Sequence, residues 1–158
     1  MVELIVDEGI EAGDLPDETR IEALLAAVWQ AHGNGGEPEV CVRYAGDAAV
    51  HALNREWLEV DAPTDVLSFP MQDGPEFTAA EPLGDIILAL PYSRREAERL
   101  ALPVADHATH LLLHAMLHLI GFDHGEEQEQ RQMRAAERQL MAGLGLHDPW
   151  PQESEDVG

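Results

Sequence analysis

The chain reads as an α+β single domain, a mixed and mostly parallel sheet of about four strands packed with helices. Three observations predict this. Short apolar or alternating runs of strand length stand apart from longer runs with helical spacing of their apolar residues. Glycine, proline and aspartate punctuate the joints between them. A length of 158 residues, 45% hydrophobic, is enough for one core and would crowd two.

Val2–Val6 is the first expected strand, and Thr19–Ala31 a helix ended by the turn Gly33-Asn34-Gly35-Gly36. Val40–Tyr44 alternates into a second strand, and a short helix capped by Asp47 runs from there to about Trp57. The loop from Glu59 to Thr64 delivers Asp65–Pro70, a strand stopped by its proline. Met71–Pro82 is polar and irregular, the composition of a surface loop or lid. Gly84–Leu90 is a continuous apolar run with one acid near its start, which predicts a central strand covered on both faces. Ser93–Leu100 has helical character, and Pro103 opens the next helix. Asp123–Glu126 has the spacing of a cap for a last helix, which packs through Met133, Ala136, Leu140 and Leu144 and stops at Gly143 or Gly145. The domain is therefore expected over residues 1–147, and the Pro-rich acidic stretch 148–158 as a mobile tail.

The chemistry concentrates in one run, His114-Ala115-Met116-Leu117-His118-Leu119-Ile120-Gly121-Phe122-Asp123-His124. At ~100° per residue, positions four apart on a helix point within ~40° of each other and lie ~6 Å apart along the axis. His114 and His118 can therefore grip one ion from one face. Gly121 then lets the chain reverse past the last turn and swings His124 back toward the pair. Three neutral imidazoles on a tetrahedral ion leave one position for water, the arrangement of a catalytic zinc site. Five of the eight histidines fall between His107 and His124, so clustering by composition is the bland alternative. Against it, Leu111–Ile120 is apolar everywhere except at His114 and His118, and an unpartnered imidazole on a buried helix would be costly. His110 and His107 lie near the same face, so either can line the cleft or substitute as a ligand, although His107, about two turns from His114, is expected at the surface. One zinc-like ion per chain is expected, with late divalent metals as its chemical relatives.

Composition bounds the partners. Cys41 is the only cysteine, so no internal disulfide forms and no thiolate cluster holds the metal; it reads as a small apolar strand residue. The net charge is −22, and all nine cations are arginine. Such a body repels phosphate backbones at long range. Any nucleic-acid role rests on a local patch, with Arg94, Arg95 and Arg99 or Arg131, Arg134 and Arg138 as the clusters. No apolar stretch approaches the ~20 residues that span a bilayer, so no membrane partner is expected and the protein is expected in the cytoplasm.

Two further segments have the look of a site. Asn54 lies ten residues before Thr64-Asp65-Val66-Leu67-Ser68-Phe69-Pro70, and Gly84-Asp85-Ile86 precedes the apolar strand. Together with the histidine run they resemble, in order from about Val50 to Leu140, the YbeY family of bacterial metal-dependent endoribonucleases. The resemblance implies a domain similar to zinc hydrolases in its metal helix, with zinc on His114, His118 and His124. It also implies cleavage of single-stranded RNA in ribosomal RNA maturation and ribosome quality control, with ribosomal RNA, the ribosome or ribosomal proteins as partners. Two positions depart from the family pattern: Ala115 stands where the family has glycine, and Leu58 where it has an arginine associated with RNA handling. The nearest cation to Leu58 is Arg55.

Zinc peptidases with the H-x-x-x-H pair carry a glutamate after the first histidine as general base, and Ala115 occupies that place. Candidate catalytic helpers are Asp85, at the mouth of the apolar strand, and Asp123, which can hydrogen-bond a ligating imidazole or cap a helix. Asn54, Arg55 and Ser68 are candidate substrate contacts, with a hydrogen bond to a neighbouring loop as the structural alternative for Asn54 and Ser68. A second functional class is a ribosome-associated assembly factor whose metal mainly stabilises the fold, with weak or no nuclease activity.

Overall fold

A computed structural model describes residues 1–123 and 125–152. The elements run β1 (Val2–Val6), α1 (Glu18–His32), β2 (Val40–Ala45), α2 (Asp47–Leu58), β3 (Val66–Pro70), β4 (Gly84–Ala89), α3 (Leu90–Arg99), α4 (Val104–Leu119) and α5 (Glu127–Gly143). The four strands form one sheet in the order β1-β2-β4-β3, with β1, β2 and β4 parallel and β3 antiparallel on the edge. This is the mixed, mostly parallel sheet that the sequence predicts.

Alternation along β4 assigns the two faces of the sheet. Ile86 and Leu88 join a core with Ile21, Leu24 and Val28 of α1 and Leu112, Leu113 and Met116 of α4. Ile87 and Ala89 point the other way and pack with Val50 of α2 and Leu67 of β3. A strand buried on both faces has no position for a polar stripe, hence its unbroken apolar run. Gly84 starts β4 at φ +149°, and a Cβ there would stand 2.3 Å from the Phe69 carbonyl oxygen, so the β3–β4 junction closes only around a glycine.

Three helix starts differ from expectation. The N-cap of α2 is Gly46, and the Asp47 carboxylate instead accepts from Tyr92 N at 2.9 Å and from the Arg95 guanidinium at 2.8 Å. Asp47 thus satisfies a first-turn donor of α3, which lets α3 begin at Leu90 with Pro91 in its opening turn. The cap position of α5 is held by Glu126 rather than Asp123.

The Met71–Pro82 loop is stitched by one side chain. Gln72 Nε2 donates to the Thr78 and Glu81 carbonyls, both at 2.9 Å, while its Oε1 accepts from Thr78 N at 3.0 Å. At the other end of the chain, the first part of the expected tail is tied to α5. Arg138 pairs with Asp148 at 3.2 Å and donates to the Trp150 carbonyl, and the Arg134 guanidinium lies 4.1 Å from the centre of the Trp150 ring. No helix among the described residues is long and apolar enough to cross a membrane.

Candidate metal centre

Helix α4 lies across the sheet face that carries Ile86 and Leu88, and its buried residues hold it there at almost every position. His114 and His118, one turn apart, are only half-buried and open into a cleft beside β3. Their rings stand 6.0 Å apart between centroids and at 84° to each other. The cleft has a volume of about 280 Å³ and runs along the edge strand β3, with Ser68 and Leu58 on its walls beside the two imidazoles.

The decisive contact comes from α5. Glu137 is 1% exposed and places one carboxylate oxygen on His110 Nε2 and the other 3.4 Å from His114 Nδ1. A carboxylate only accepts, so Nδ1 of His114 carries the hydrogen. Nε2 of His114 is then left with the lone pair that a metal ion requires, the arrangement by which a buried carboxylate orients a ligating imidazole. Burial alone would push Glu137 up, but the hydrogen bonds from His110 and His114 outweigh it and hold its carboxyl below the usual carboxylate range. The donor set therefore suits a borderline divalent cation: two imidazoles on one helix face, one of them fixed in tautomer. Among the described residues no group of three His, Cys, Asp or Glu side chains is gathered tightly enough to hold an ion by itself. His124, the expected third ligand, lies outside the described residues.

The other candidate residues are distributed unevenly around this pair. Ser68 lines the cleft. Asn54 is buried and its Nδ2 donates to the Ala62 carbonyl at 2.9 Å, pinning the loop that leads into β3. Arg55 is exposed one turn before Leu58 and is not among the cleft's lining residues. Asp123 is exposed just beyond the end of α4. Asp85 shares its face of β4 with Ile87 and Ala89, so the sheet separates it from the histidines of α4. Burial first, and the nearby Glu3 charge second, raise its pKa.

His107 is buried rather than at the surface. Its Nε2 pairs with Glu96 Oε1 of α3 at 3.0 Å, and this partner lets the ring sit at 5% exposure. Sequence reasoning alone misses the two acids that pair with histidines of α4, Glu137 and Glu96. For Glu137 a signal exists, an acid on the inward stripe of Met133, Ala136 and Leu140.

The family described as Endoribonuclease YbeY matches residues 10–145 of the chain. An Endoribonuclease YbeY of Azorhizobium caulinodans is 41% identical over 157 residues, covering 96% of each chain. One of Halorhodospira halophila is 40% identical over 143 residues, covering 89% of this chain and 92% of the relative. In architecture the chain is similar to a solution structure from Thermotoga maritima, with a TM-score of 0.57, 19% identity, and coverage of 94% and 98% of the two chains; at that identity the likeness bears on the fold alone.

Proposed function

This chain belongs to the endoribonuclease YbeY family, and on that basis we propose that it is a hydrolase that cuts single-stranded RNA at the cleft of His114 and His118, with one zinc-like ion as cofactor. The observation that carries the reading is the Glu137 contact: besides pairing His110, the buried acid reaches a second ring, His114, at its Nδ1 and orients it as a ligand is oriented. His114 and His118 would hold the ion, with His124 as the third ligand. When bound, such an ion supplies a water of pKa ~7 and a Lewis acid for a phosphoryl oxygen. The protein's own contributions are orientation and exclusion. Glu137 keeps the His114 ring from rotating, Ser68 offers a hydroxyl on the cleft wall for a phosphate oxygen, and the β3 edge with Leu58 bounds the strand's path. Asp123, next in sequence to His124, is proposed as a partner of a ligating ring; Asp85 stands too far round the sheet for that part. Maturation of ribosomal RNA in the cytoplasm, on the ribosome or with ribosomal proteins, is the process we propose for this activity.

A second reading is favoured by one feature of the cleft. Leu58, 46% exposed, presents an apolar side chain where phosphate charge has to be met, and the chain carries a net charge of −22. Both fit an assembly factor with weak or no cleavage. The two readings separate in an assay of labelled single-stranded and duplex RNA with and without zinc, beside His114→Ala. An enzyme cuts the single strand only with metal, and the variant stays folded without cutting; an assembly factor cuts neither strand.

A further inference from the structure

A larger cavity of about 640 Å³ adjoins the histidine cleft, and His114 stands in the wall of both. Its size lies in the range that takes a nucleoside-sized ligand. Leu100, Leu102 and Leu111 give it apolar walls, and two carboxylates, Asp65 and Glu96, stand among them. Asp65 Oδ1 accepts from Val66 N at 2.7 Å, and Glu96 accepts from His107. Each carboxylate oxygen retains further lone pairs. Thr64 Oγ1 also donates to Asp65 Oδ1 at 3.4 Å, and Arg99 stands 4.0 Å from Glu96 Oε2. Burial, then the hydrogen bond and charge of Glu96, push the Asp65 carboxyl up to about 6, the mark of an enclosed acid pair that shares a hydrogen bond.

A second observation, independent of the acids, concerns two other residues of the same cavity. His147 Nδ1 and Trp150 Nε1 are buried and have no hydrogen-bond partner among the described residues. An indole N–H is a donor only, and leaving it unpaired in a buried position costs free energy. The cavity therefore combines carboxylate acceptors with apolar walls, which together complement the edge and faces of a heteroaromatic ring.

Resting on the reading that the neighbouring cleft acts on RNA, we propose that this cavity is a base subsite, which receives one unstacked base of the single strand and favours bases with an exocyclic amino group over uracil. An amino group on the base edge donates to the Asp65–Glu96 pair, whereas uracil turns a carbonyl oxygen toward the same acceptors. A base paired in a duplex has its edge occupied and cannot enter, so the subsite also selects for single strands.

Cytosine and uracil have nearly the same ring, and their strands carry the same phosphate charge, so comparing them tests the base edge alone: an amino group beside a bare ring nitrogen in cytosine, a carbonyl beside a ring N–H in uracil. The measurement is fluorescence anisotropy of labelled hexacytidylate and hexauridylate titrated with the zinc-loaded full chain. Hexacytidylate should bind about tenfold more tightly, the discrimination typical of one well-placed pair of base-edge hydrogen bonds. Glu96→Gln and Asp65→Asn, which replace an acceptor oxygen by a donor, should each draw the ratio toward one, and Leu102→Trp, which fills the cavity, should weaken both strands. Zinc content should hold in all three. Equal affinity of the wild-type chain for the two strands overturns the subsite, as does a tenfold ratio that survives in every variant that folds. Cleavage is scored separately: a chain that keeps the ratio but cuts nothing retains the subsite and loses the nuclease reading, and a chain that cuts without a ratio does the reverse.

Discussion

Glu137 Oε2 stands 3.4 Å from His114 Nδ1, across the interface between α5 and α4, and the same carboxylate meets His110 through its other oxygen. The acid therefore serves two rings at once from a position with 1% exposure. Glu137→Gln keeps the shape but turns one acceptor into a donor that faces an imidazole. We expect zinc affinity to fall about 10- to 100-fold, measured by competition with a coloured chelator. Glu137→Ala removes the partner of the buried His110 ring and should also cost about 3 kcal/mol in urea unfolding. Zinc affinity unchanged in the Gln variant would remove Glu137 from the site.

How far the site is legible in the sequence follows from where each contact lies in the chain. His114 and His118 are local, four residues apart on one helix, so periodicity alone puts them together. Glu137 is 23 residues from His114 and joins it only because α5 packs back on α4, a tertiary fact that no spacing encodes. The same holds for His107, whose burial depends on Glu96 of another helix, and for Asp47, which has the look of a cap for its own helix and caps the next one. The sheet is legible because unbroken runs such as Ile86–Ala89 have one stable use, an interior strand. Asp85 misleads for the same reason: the run shows that a strand is central, but not on which side an acid at its mouth emerges.

Gly84 provides a test of the fold that leaves the histidines untouched. Its φ of +149°, and the 2.3 Å that would separate an added Cβ from the Phe69 oxygen, leave no room for alanine. Gly84→Ala should destabilise the chain by about 3 kcal/mol, because backbone must move at the β3–β4 junction. Thermal unfolding by circular dichroism reads this directly, and a loss below about 0.5 kcal/mol would show that the junction yields.

Asp65 gives stability a pH dependence of defined sign. Its pKa rises from 3.8 to about 6, first by burial and then through Glu96, so the folded state holds this proton more tightly than the unfolded chain. Between those two values the folded state binds more protons, and stability falls as pH rises through the window. Asp65→Asn keeps an acceptor for Val66 N and removes the charge. It should leave stability near pH 4 almost unchanged and raise it above pH 6 by on the order of 1 kcal/mol. Urea titrations at the two pH values decide the matter, and a variant equally weakened at both would mean that the carboxylate's hydrogen bonds outweigh its charge.

Leu58 sits on the wall of the cleft that holds His114 and His118, at the end of α2, while Arg55 one turn earlier does not reach that wall. A guanidinium at position 58 can pair two phosphate oxygens through fixed donors and stabilise charge that develops during phosphodiester cleavage; leucine can do neither. Wild-type activity on RNA should therefore be weak and strongly salt-dependent. Leu58→Arg should raise both binding and cleavage of single-stranded RNA, by about tenfold if one phosphate contact is restored. Zinc content should not change, because the proposed ligands are His114, His118 and His124 and not residues of α2. Arg55→Ala, measured beside it, separates the remaining cases. If the arginine variant is no better and Arg55→Ala loses RNA, then Arg55 already meets the phosphate from outside the cleft; if neither substitution matters, the strand is held by partners of the chain rather than by this wall.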